Sequence, residues 1–220
     1  MSLNFIQTPY GRVFKNEAYT QDEFEFRKIA VLFPKSVEAM QSLIAAGLPK
    51  AIAESNVKDV EGFKAQLIAE IKEDGKVKNF PISKIFKDGD RYADDRTQMF
   101  KDNPENEGKE VPEFYNNTRG FYILNFKSKF DLEWYGPKKS DGLKDDTWAE
   151  TAIYDGSWAR LLTKAYHYGK EGNKGYSTGL SKFVQKWCDD EKFGGSGGAS
   201  ADVSDAVEFV PKASAEDYIN

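Results

Sequence analysis

Cysteine and histidine are almost absent from this 220-residue sequence, which has one of each, Cys188 and His167. A single cysteine excludes an intramolecular disulfide, and two such residues are too few for a zinc site of the His/Cys kind. No apolar run approaches the roughly 20 residues that a membrane helix needs. The first residues lack the basic region and apolar stretch of a signal peptide, so we expect a cytoplasmic protein that does not contact membranes.

Acidic residues outnumber basic ones, and the net charge is -5, but the charge is unevenly distributed. Residues 193–220 contain five acids and one base, a net charge of -4, so the rest of the chain carries only -1. Within that body, residues 151–186 contain six bases and two acids, a net charge of +4. A basic stretch followed by an acidic tail indicates a protein whose charge asymmetry serves binding.

Strand patterns dominate the body. Alternating or continuous apolar residues predict strands over 21–35, 80–86, 119–126 and 129–135, and a turn at 88–90. Residues 151–168 and 175–187 predict a last hairpin, although the apolar spacing over 180–187 also fits a helix. Residues 36–73 repeat apolar positions close to every 3.6 residues and predict two amphipathic helices, with a break near Gly47 and a stop at Gly75.

These elements predict a mostly β fold with some α: an OB-like closed five-stranded β-barrel, with a helical insertion at about 36–73. We expect residues 1–192 to form this domain. The Gly- and Ser-rich stretch 193–200 predicts a flexible linker, and residues 193–220 a disordered acidic C-terminal tail.

The most informative segment is 157–168, read as a strand whose side chains alternate between two faces. One face is small and apolar and suits a barrel interior (Ala159, Leu161, Thr163, Ala165, His167). The other interleaves aromatic residues with cations (Trp158, Arg160, Leu162, Lys164, Tyr166, Tyr168), and Lys170 and Lys174 extend it. Aromatic rings stack on unpaired bases, and lysines or arginines neutralise phosphates, so this face predicts binding of single-stranded nucleic acid. An ordinary amphipathic strand is the alternative.

Two further segments carry similar residues. Tyr10, Arg12 and Phe14 alternate near the N-terminus, where a strand that covers the core is an equally good interpretation. Tyr115, Arg119, Phe121 and Tyr122 are the other candidate: Arg119 and Phe121 share a strand face, and core packing is at least as good an interpretation for Phe121. The four acids Asp88, Asp90, Asp94 and Asp95 suit either a solvated turn or a divalent-metal nuclease site. The glycines at 169–179 are not followed by Gly-Lys-Ser/Thr, so no nucleotide cofactor is expected.

Two blocks of sequence resemble a known family. They are Thr8-Pro-Tyr-Gly-Arg12 near the start and, near the end, Gly156-Ser-Trp-Ala-Arg160, Tyr166-His-Tyr-Gly169 and Lys174-Gly-Tyr-Ser-Thr-Gly-Leu-Ser-Lys-Phe-Val-Gln185. Both are similar to phage-encoded single-stranded-DNA-binding proteins of the OB-fold type. The resemblance implies a barrel that protects single strands during phage replication and recombination, in the cytoplasm of an infected bacterium.

The resemblance also implies a role for the tail, because acidic C-terminal tails of related proteins recruit replication proteins and compete with DNA. Glu216, Asp217, Tyr218 and Ile219 are the similar residues here. We therefore predict a sequence-nonspecific single-stranded-DNA-binding protein with no enzymatic activity, cofactor or metal. The alternatives are a nuclease that uses the Asp88–Asp95 cluster, and a self-assembling structural phage protein.

Overall fold

Nine strands occur in the described part of the computed structural model, which comprises residues 5–21, 24–138, 141–170, 173–190 and 193. They are β1 (Ile6–Gln7), β2 (Gly11–Gln21), β3 (Phe24–Pro34), β4 (Lys87–Asp88), β5 (Phe121–Ser128), β6 (Glu133–Tyr135), β7 (Leu143–Lys144), β8 (Trp158–Lys170) and β9 (Asn173–Cys188). The strands predicted over 21–35 and 119–126 and the last hairpin are confirmed as β3, β5 and the β8–β9 pair.

Four α-helices accompany the strands in the described ranges: α1 (Gln41–Ala45), α2 (Lys50–Asp74), α3 (Gly89–Asp102) and α4 (Asp146–Ala152). Short 3-10 turns cover Val37–Met40, Ile82–Lys84, Pro104–Asn106 and Glu113–Thr118. The fold is therefore a mixed α/β fold with one sheet. Among the described helices, none is long and apolar enough to cross a membrane.

The five longest strands pair in a series that returns to its start. β2 lies antiparallel to β3, and β3 lies antiparallel to β5. β5 then pairs with β9 in parallel, and β9 pairs with β8 in the antiparallel sense. β8 finally pairs with β2 through Trp158 and Ala159. The short strands β1, β4, β6 and β7 extend this series at its margins.

All five long strands contribute to one apolar cluster, and we call the side that faces it the inner face. The cluster includes Val13, Ile29, Val31, Leu124, Phe126, Ala159, Leu161, Leu180 and Val184. α2 adds Val60, Phe63, Leu67 and Ile71, which recur every three or four residues and so lie on one side of the helix. Each large apolar side chain buried this way contributes about 1.5–3 kcal/mol. The predicted helical insertion is thus part of the main core.

The helical segment is divided where the sequence predicted, near Gly47, since α1 ends at Ala45 and α2 begins at Lys50. α1 has only five residues, whereas α2 runs for 25 residues from Lys50, directly after Pro49. The stop predicted at Asp74-Gly75 is confirmed, because Gly75 caps α2 with a φ of 63°, a left-handed conformation that favours glycine.

A second apolar cluster covers part of the opposite, outer face of the sheet. Leu32, Phe121, Ile123, Trp158 and Trp187 contribute from the strands. Met40, Leu43 and Leu48, from α1 and the turns on either side of it, and Ala53 from α2 pack over them. The strand residues of the outer face at this end of the sheet are therefore covered by the helical segment.

Several predicted elements are wrong. Residues 80–86 form no strand, because Pro81 leads into a 3-10 turn. The predicted turn at 88–90 is the start of α3: the Asp88 carboxylate accepts hydrogen bonds from the backbone N–H groups of Asp90 and Arg91 at 2.9 and 3.1 Å. The strand predicted over 129–135 shrinks to β6, and Phe130 is exposed while Trp134 is buried. Residues 146–152 are helical, so the last hairpin starts only at Trp158.

Candidate nucleic-acid interface

The alternation predicted for β8 is correct, but the first half of its outer face is covered. Ala159 and Leu161 lie in the inner cluster as expected. Trp158 and Arg160 lie on the opposite face, yet they are only 0% and 1% exposed. The prediction that these two side chains are open to DNA is therefore wrong.

Trp158 packs among aromatic rings and satisfies its polar atom inside the body. Its ring lies 6.1 Å from that of Trp187, edge to face, and 6.4 Å from that of Phe121, measured between centroids. The indole Nε1 donates a hydrogen bond to Asp190 Oδ2 at 3.0 Å. The residue has the environment of a core tryptophan, with no ring face left for a base.

Arg160 is held by a buried polar contact. Its Nε donates to Gln185 Oε1 at 2.6 Å, and its guanidinium lies 4.9 Å from the centroid of the Tyr10 ring. A buried arginine whose donors are engaged in this way is not available to neutralise a phosphate.

The second half of β8 is open. Tyr168 is 40% exposed, and Tyr166 is partly exposed. Their neighbours on β9 are small: Tyr168 pairs with Gly175, Tyr166 with Ser177 and Lys164 with Gly179. Cross-strand partners point to the same side of the sheet, so β9 presents only small side chains beside the two tyrosines.

Glycine is required at the first of these positions by the tyrosine ring above it. A Cβ on Gly175 would come within 2.8 Å of Tyr168 Oη and 2.9 Å of Cζ. A Cβ on Gly179 would meet the Tyr166 ring at 3.4 Å, which is about van der Waals contact. The glycines therefore let both rings lie across β9, with one ring face of each turned away from the strand.

A groove of about 320 Å³ runs along these tyrosines, and we call it the outer-face groove. Its lining among the described residues contains three tyrosines, three lysines and no acid (Lys84, Ile85, Lys87, Asn125, Lys127, Tyr166, Tyr168, Tyr176, Ser177, Thr178). The three lysines are exposed, so their ammonium groups reach solvent. Tyr176 is only 3% exposed, but Tyr166 and Tyr168 expose ring surface beside these lysines. Exposed aromatic rings beside cations are what single-stranded nucleic acid requires.

Of the lining residues of this groove, only Tyr166 and Tyr168 were predicted, and four polar residues that were not come from outside the last hairpin. Asn125 and Lys127 lie on β5, where strand alternation turns them away from the core residues Leu124 and Phe126. This alternation was a usable signal in the sequence. Lys84 and Lys87 come from the segment 80–88, which reaches the groove because β4 pairs with β5. No local pattern in the sequence indicates that long-range pairing.

The remaining predicted cations near β8 have mixed positions. Lys174 is exposed at the start of β9. Lys164 is partly exposed, and its Nζ lies 5.4 Å from the centroid of the Phe5 ring. The backbone of Lys170 ends β8, but its side chain lies outside the described part of the chain.

Tyr10 and Arg12 pack within the body, away from the outer-face groove. The Tyr10 ring stacks on Trp187 with centroids 4.2 Å apart. Arg12 Nε donates to the Gly156 carbonyl at 3.1 Å, and its guanidinium lies 4.2 Å from the centroid of the Phe193 ring. Phe193 thus contacts the body through its ring.

Phe14 and Tyr115 line a second cavity of about 380 Å³, together with Tyr92, Arg96, Phe114, Asn117, Thr118, Asp155 and Phe193. This cavity shares no lining residue with the outer-face groove. Arg119, nearby in sequence, is paired with Asp94 at 2.6 Å. Segment 88–119 carries nine acids against five bases, a net charge of -4 that opposes phosphate binding. The structure therefore separates these predicted residues from the basic groove.

The four aspartates considered for a nuclease make other contacts. Lys35 Nζ lies 2.8 Å from a carboxylate oxygen of both Asp88 and Asp90, and these hydrogen bonds are the main cause of the lowered pKa of each carboxyl. Asp94 pairs with Arg119, and Asp95 lies 3.9 Å from Arg91. Within the described ranges, no three His, Cys, Asp or Glu residues are grouped so as to hold a metal ion. The geometry offers nothing in favour of the nuclease alternative.

The tail residues Glu216, Asp217, Tyr218 and Ile219 lie outside the described residues.

A family model described as the ssDNA-binding protein of Enterobacter phage Enc34 matches residues 1–218 of the chain. No curated protein matches the sequence at a significant level. Among solved structures, the C-terminally truncated single-stranded DNA-binding protein of bacteriophage Enc34 is similar, with a TM-score of 0.53 and 17% identity over 87% of this chain and 88% of that one. The same phage protein in complex with ssDNA has a TM-score of 0.50 and 18% identity, covering 86% of this chain and 89% of that one. At these identities the likeness shows a shared fold.

Proposed function

The chain belongs to the family of single-stranded DNA-binding proteins described from Enterobacter phage Enc34, and we propose that it binds single-stranded DNA along the outer-face groove. The observation that carries this proposal is the joint presence of Tyr166, Tyr168 and three lysines around a groove whose described lining contains no acid. Stacking of one base on an aromatic side chain contributes about 1–3 kcal/mol, and every base has a ring face to offer. The proposed binding is accordingly independent of base sequence.

We also propose that the five long strands form an OB-like closed barrel. The support is the order of their pairings, which returns to β8, with a single parallel pair between β5 and β9. OB-folds bind oligonucleotides on one face of their second and third strands and with the loops at its edge. In that order β3 and β5 are the second and third barrel strands, and β5 contributes Asn125 and Lys127 to the groove.

The proposed role is protection of single strands during phage replication and recombination, without catalysis, in the cytoplasm of an infected bacterium. Residues 1–192 are the binding domain in this proposal, and residues 193–220 are a tail that recruits phage replication proteins. The tail proposal rests on its composition, since Glu216 and Asp217 precede the apolar Tyr218 and Ile219.

The test replaces the groove lysines and measures the salt dependence of binding. Each phosphate neutralised on a single strand contributes about -0.7 to the slope of log affinity against log salt concentration. Lys84→Gln, Lys87→Gln and Lys127→Gln together should therefore make the slope about 2 units less steep, and weaken binding of an oligothymidine at low salt. Fluorescence anisotropy at several salt concentrations measures both quantities.

A matched control removes three exposed lysines elsewhere: Lys58→Gln, Lys101→Gln and Lys109→Gln. This control changes the net charge equally but touches no lining residue of the groove. It should leave the slope almost unchanged. Equal losses in the two triple variants would mean that binding follows overall charge, and would reject the groove as the binding site.

A further inference from the structure

An aromatic pair lies on the same sheet, on the two strands that follow the groove strand β5 in the pairing order. Tyr19 on β2 and Phe26 on β3 are direct cross-strand partners. Their rings are stacked, with centroids 5.5 Å apart and planes inclined by 18°. Both side chains are partly exposed. The pair thus presents aromatic surface to solvent close to the loop that joins β2 to β3.

This pair faces the same side of the sheet as the outer-face groove. Lys28 is the cross-strand partner of both Glu17 on β2 and Lys127 on β5, and such partners point to the same side. Tyr19 and Phe26 stand two residues from Glu17 and Lys28 on their strands, so they share that side. The pair and the groove therefore belong to one continuous surface.

Lys127 connects the two regions directly. It lines the groove, and its Nζ lies 5.5 Å from the centroid of the Tyr19 ring. Lys28 adds a second cation, although its Nζ also contacts Glu17 Oε1 at 3.3 Å. A cation beside stacked rings repeats, on β2 and β3, the combination found around Tyr166 and Tyr168.

Exposure distinguishes this pair from the two tryptophans of the outer face. Trp158 and Trp187, at the far end of the sheet, are 0% and 5% exposed because other side chains cover them. Tyr19 and Phe26 lie on the same face but keep part of their surface in solvent. A pair that served only to join β2 to β3 would not require cations placed at its side.

We propose that Tyr19 and Phe26 form a second base-binding subsite, which extends the path of single-stranded DNA from the groove across β5 and β3 to β2. The proposal rests on the proposed function of the groove. Four strand spacings of about 4.8 Å separate β2 from β8, roughly 19 Å along the sheet. OB-fold sites cover about 4–16 nucleotides, so one strand can span this distance.

The experiment compares oligothymidines of about 3 and about 12 nucleotides, because only the longer one can span the roughly 19 Å between the two regions. The variant is Tyr19→Leu with Phe26→Leu, which keeps apolar bulk in the sheet but removes both ring faces. Affinity for the long oligonucleotide should fall about 5- to 150-fold for each base that loses its ring. Affinity for the short oligonucleotide should not change. Phe114→Leu with Tyr115→Leu, an aromatic pair outside this surface, is the matched control and should bind both like the unsubstituted protein.

A second measurement does not depend on how well the variant folds. Bromodeoxyuridine at single positions of the long oligonucleotide is cross-linked by ultraviolet light to the unsubstituted protein, and the linked peptides are identified by mass spectrometry. Links to Tyr19 or Phe26 from one end of the strand, and to Tyr166 or Tyr168 from the other, support the subsite.

Failure of the second subsite and failure of the proposed function would give different results. Links confined to the groove, or equal losses for short and long oligonucleotides in the variant, would overturn the second subsite and leave the groove intact. An unsubstituted protein that binds neither oligonucleotide would overturn the proposed function itself.

Discussion

Trp158 is expected to be a stability residue, although its sequence context suggested a base-stacking role. Replacing a fully buried tryptophan with alanine removes its packing against Phe121 and Trp187, at a cost of about 3–5 kcal/mol. Because whole domains are stable by only about 5–15 kcal/mol, Trp158→Ala should lose a large share of the free energy of unfolding. Any molecules that remain folded should bind single-stranded DNA like the unsubstituted protein.

Trp158→Phe separates the packing of the ring from the hydrogen bond to Asp190. It keeps an aromatic ring and loses the N–H donor, and an unsatisfied buried polar group costs about 1–3 kcal/mol. The lower part of that range is expected here, since Asp190 Oδ2 also accepts from Ser42 Oγ at 3.0 Å and lies 3.6 Å from Arg12 Nε. The expected order of stability is therefore unsubstituted protein, then Trp158→Phe, then Trp158→Ala.

Urea unfolding followed by far-ultraviolet circular dichroism measures this order without depending on tryptophan emission. DNA affinity is measured in the absence of urea and corrected for the folded fraction. A Trp158→Ala protein that is as stable as the unsubstituted one, but binds DNA several-fold more weakly, would refute the burial argument and restore the stacking role.

Removal of residues 194–220 should raise the net charge from -5 to -1, because that segment holds five acids and one base. The truncated protein should bind DNA more tightly at low salt, because a tethered acidic segment competes for cationic sites at an effective concentration in the millimolar range. This gain in affinity should shrink at high salt, where screening weakens both the tail contacts and the DNA contacts. Titration of both proteins with one oligonucleotide checks this, and equal low-salt affinities would reject competition. Separately, Gly175→Val should displace the Tyr168 ring and weaken DNA binding by about 1–3 kcal/mol. The control Gly62→Val, on the exposed side of α2, should not affect binding. Unchanged DNA affinity of the Gly175→Val protein would mean that the position of the Tyr168 ring does not matter for binding.

Strand alternation in β8 predicted which side chains share a face, but not which part of that face is covered. Ala159 and Leu161 lie inside as expected, because alternation is a local property of an extended backbone. The burial of Trp158 depends on Trp187 and on Asp190, 29 and 32 positions further along the chain. Exposure is thus set by tertiary contacts that no local pattern in the sequence encodes.

The start of α3 was missed for a related reason. Asp88-Gly89 is a common turn signal, and the preceding residues look like a strand. In the fold, Asp88 caps the helix instead, and a Cβ on Gly89 would come within 2.1 Å of the Thr118 carbonyl oxygen. The glycine is required for this close approach between segments about 30 residues apart, which the sequence pattern alone does not indicate.

Only a small part of the groove was predicted. Tyr166 and Tyr168 were found from an aromatic and cationic alternation within one strand. Lys84 and Lys87 were not, because they join the groove through the pairing of Lys87 with Ile123. A binding surface assembled from several strands is visible in sequence only where one strand carries most of the signal.

The most direct test of the central claim, that single-stranded DNA stacks on the outer-face groove, is the affinity of a Tyr166→Leu, Tyr168→Leu protein for an oligothymidine. Phe114→Leu with Tyr115→Leu is again the matched control, since this pair lies at the other cavity. Loss of two stacked bases should weaken binding by about 2–6 kcal/mol in the groove variant, at about 1–3 kcal/mol for each base, while the control binds like the unsubstituted protein. Unchanged affinity in the groove variant, or an equal loss in the control, would contradict the account.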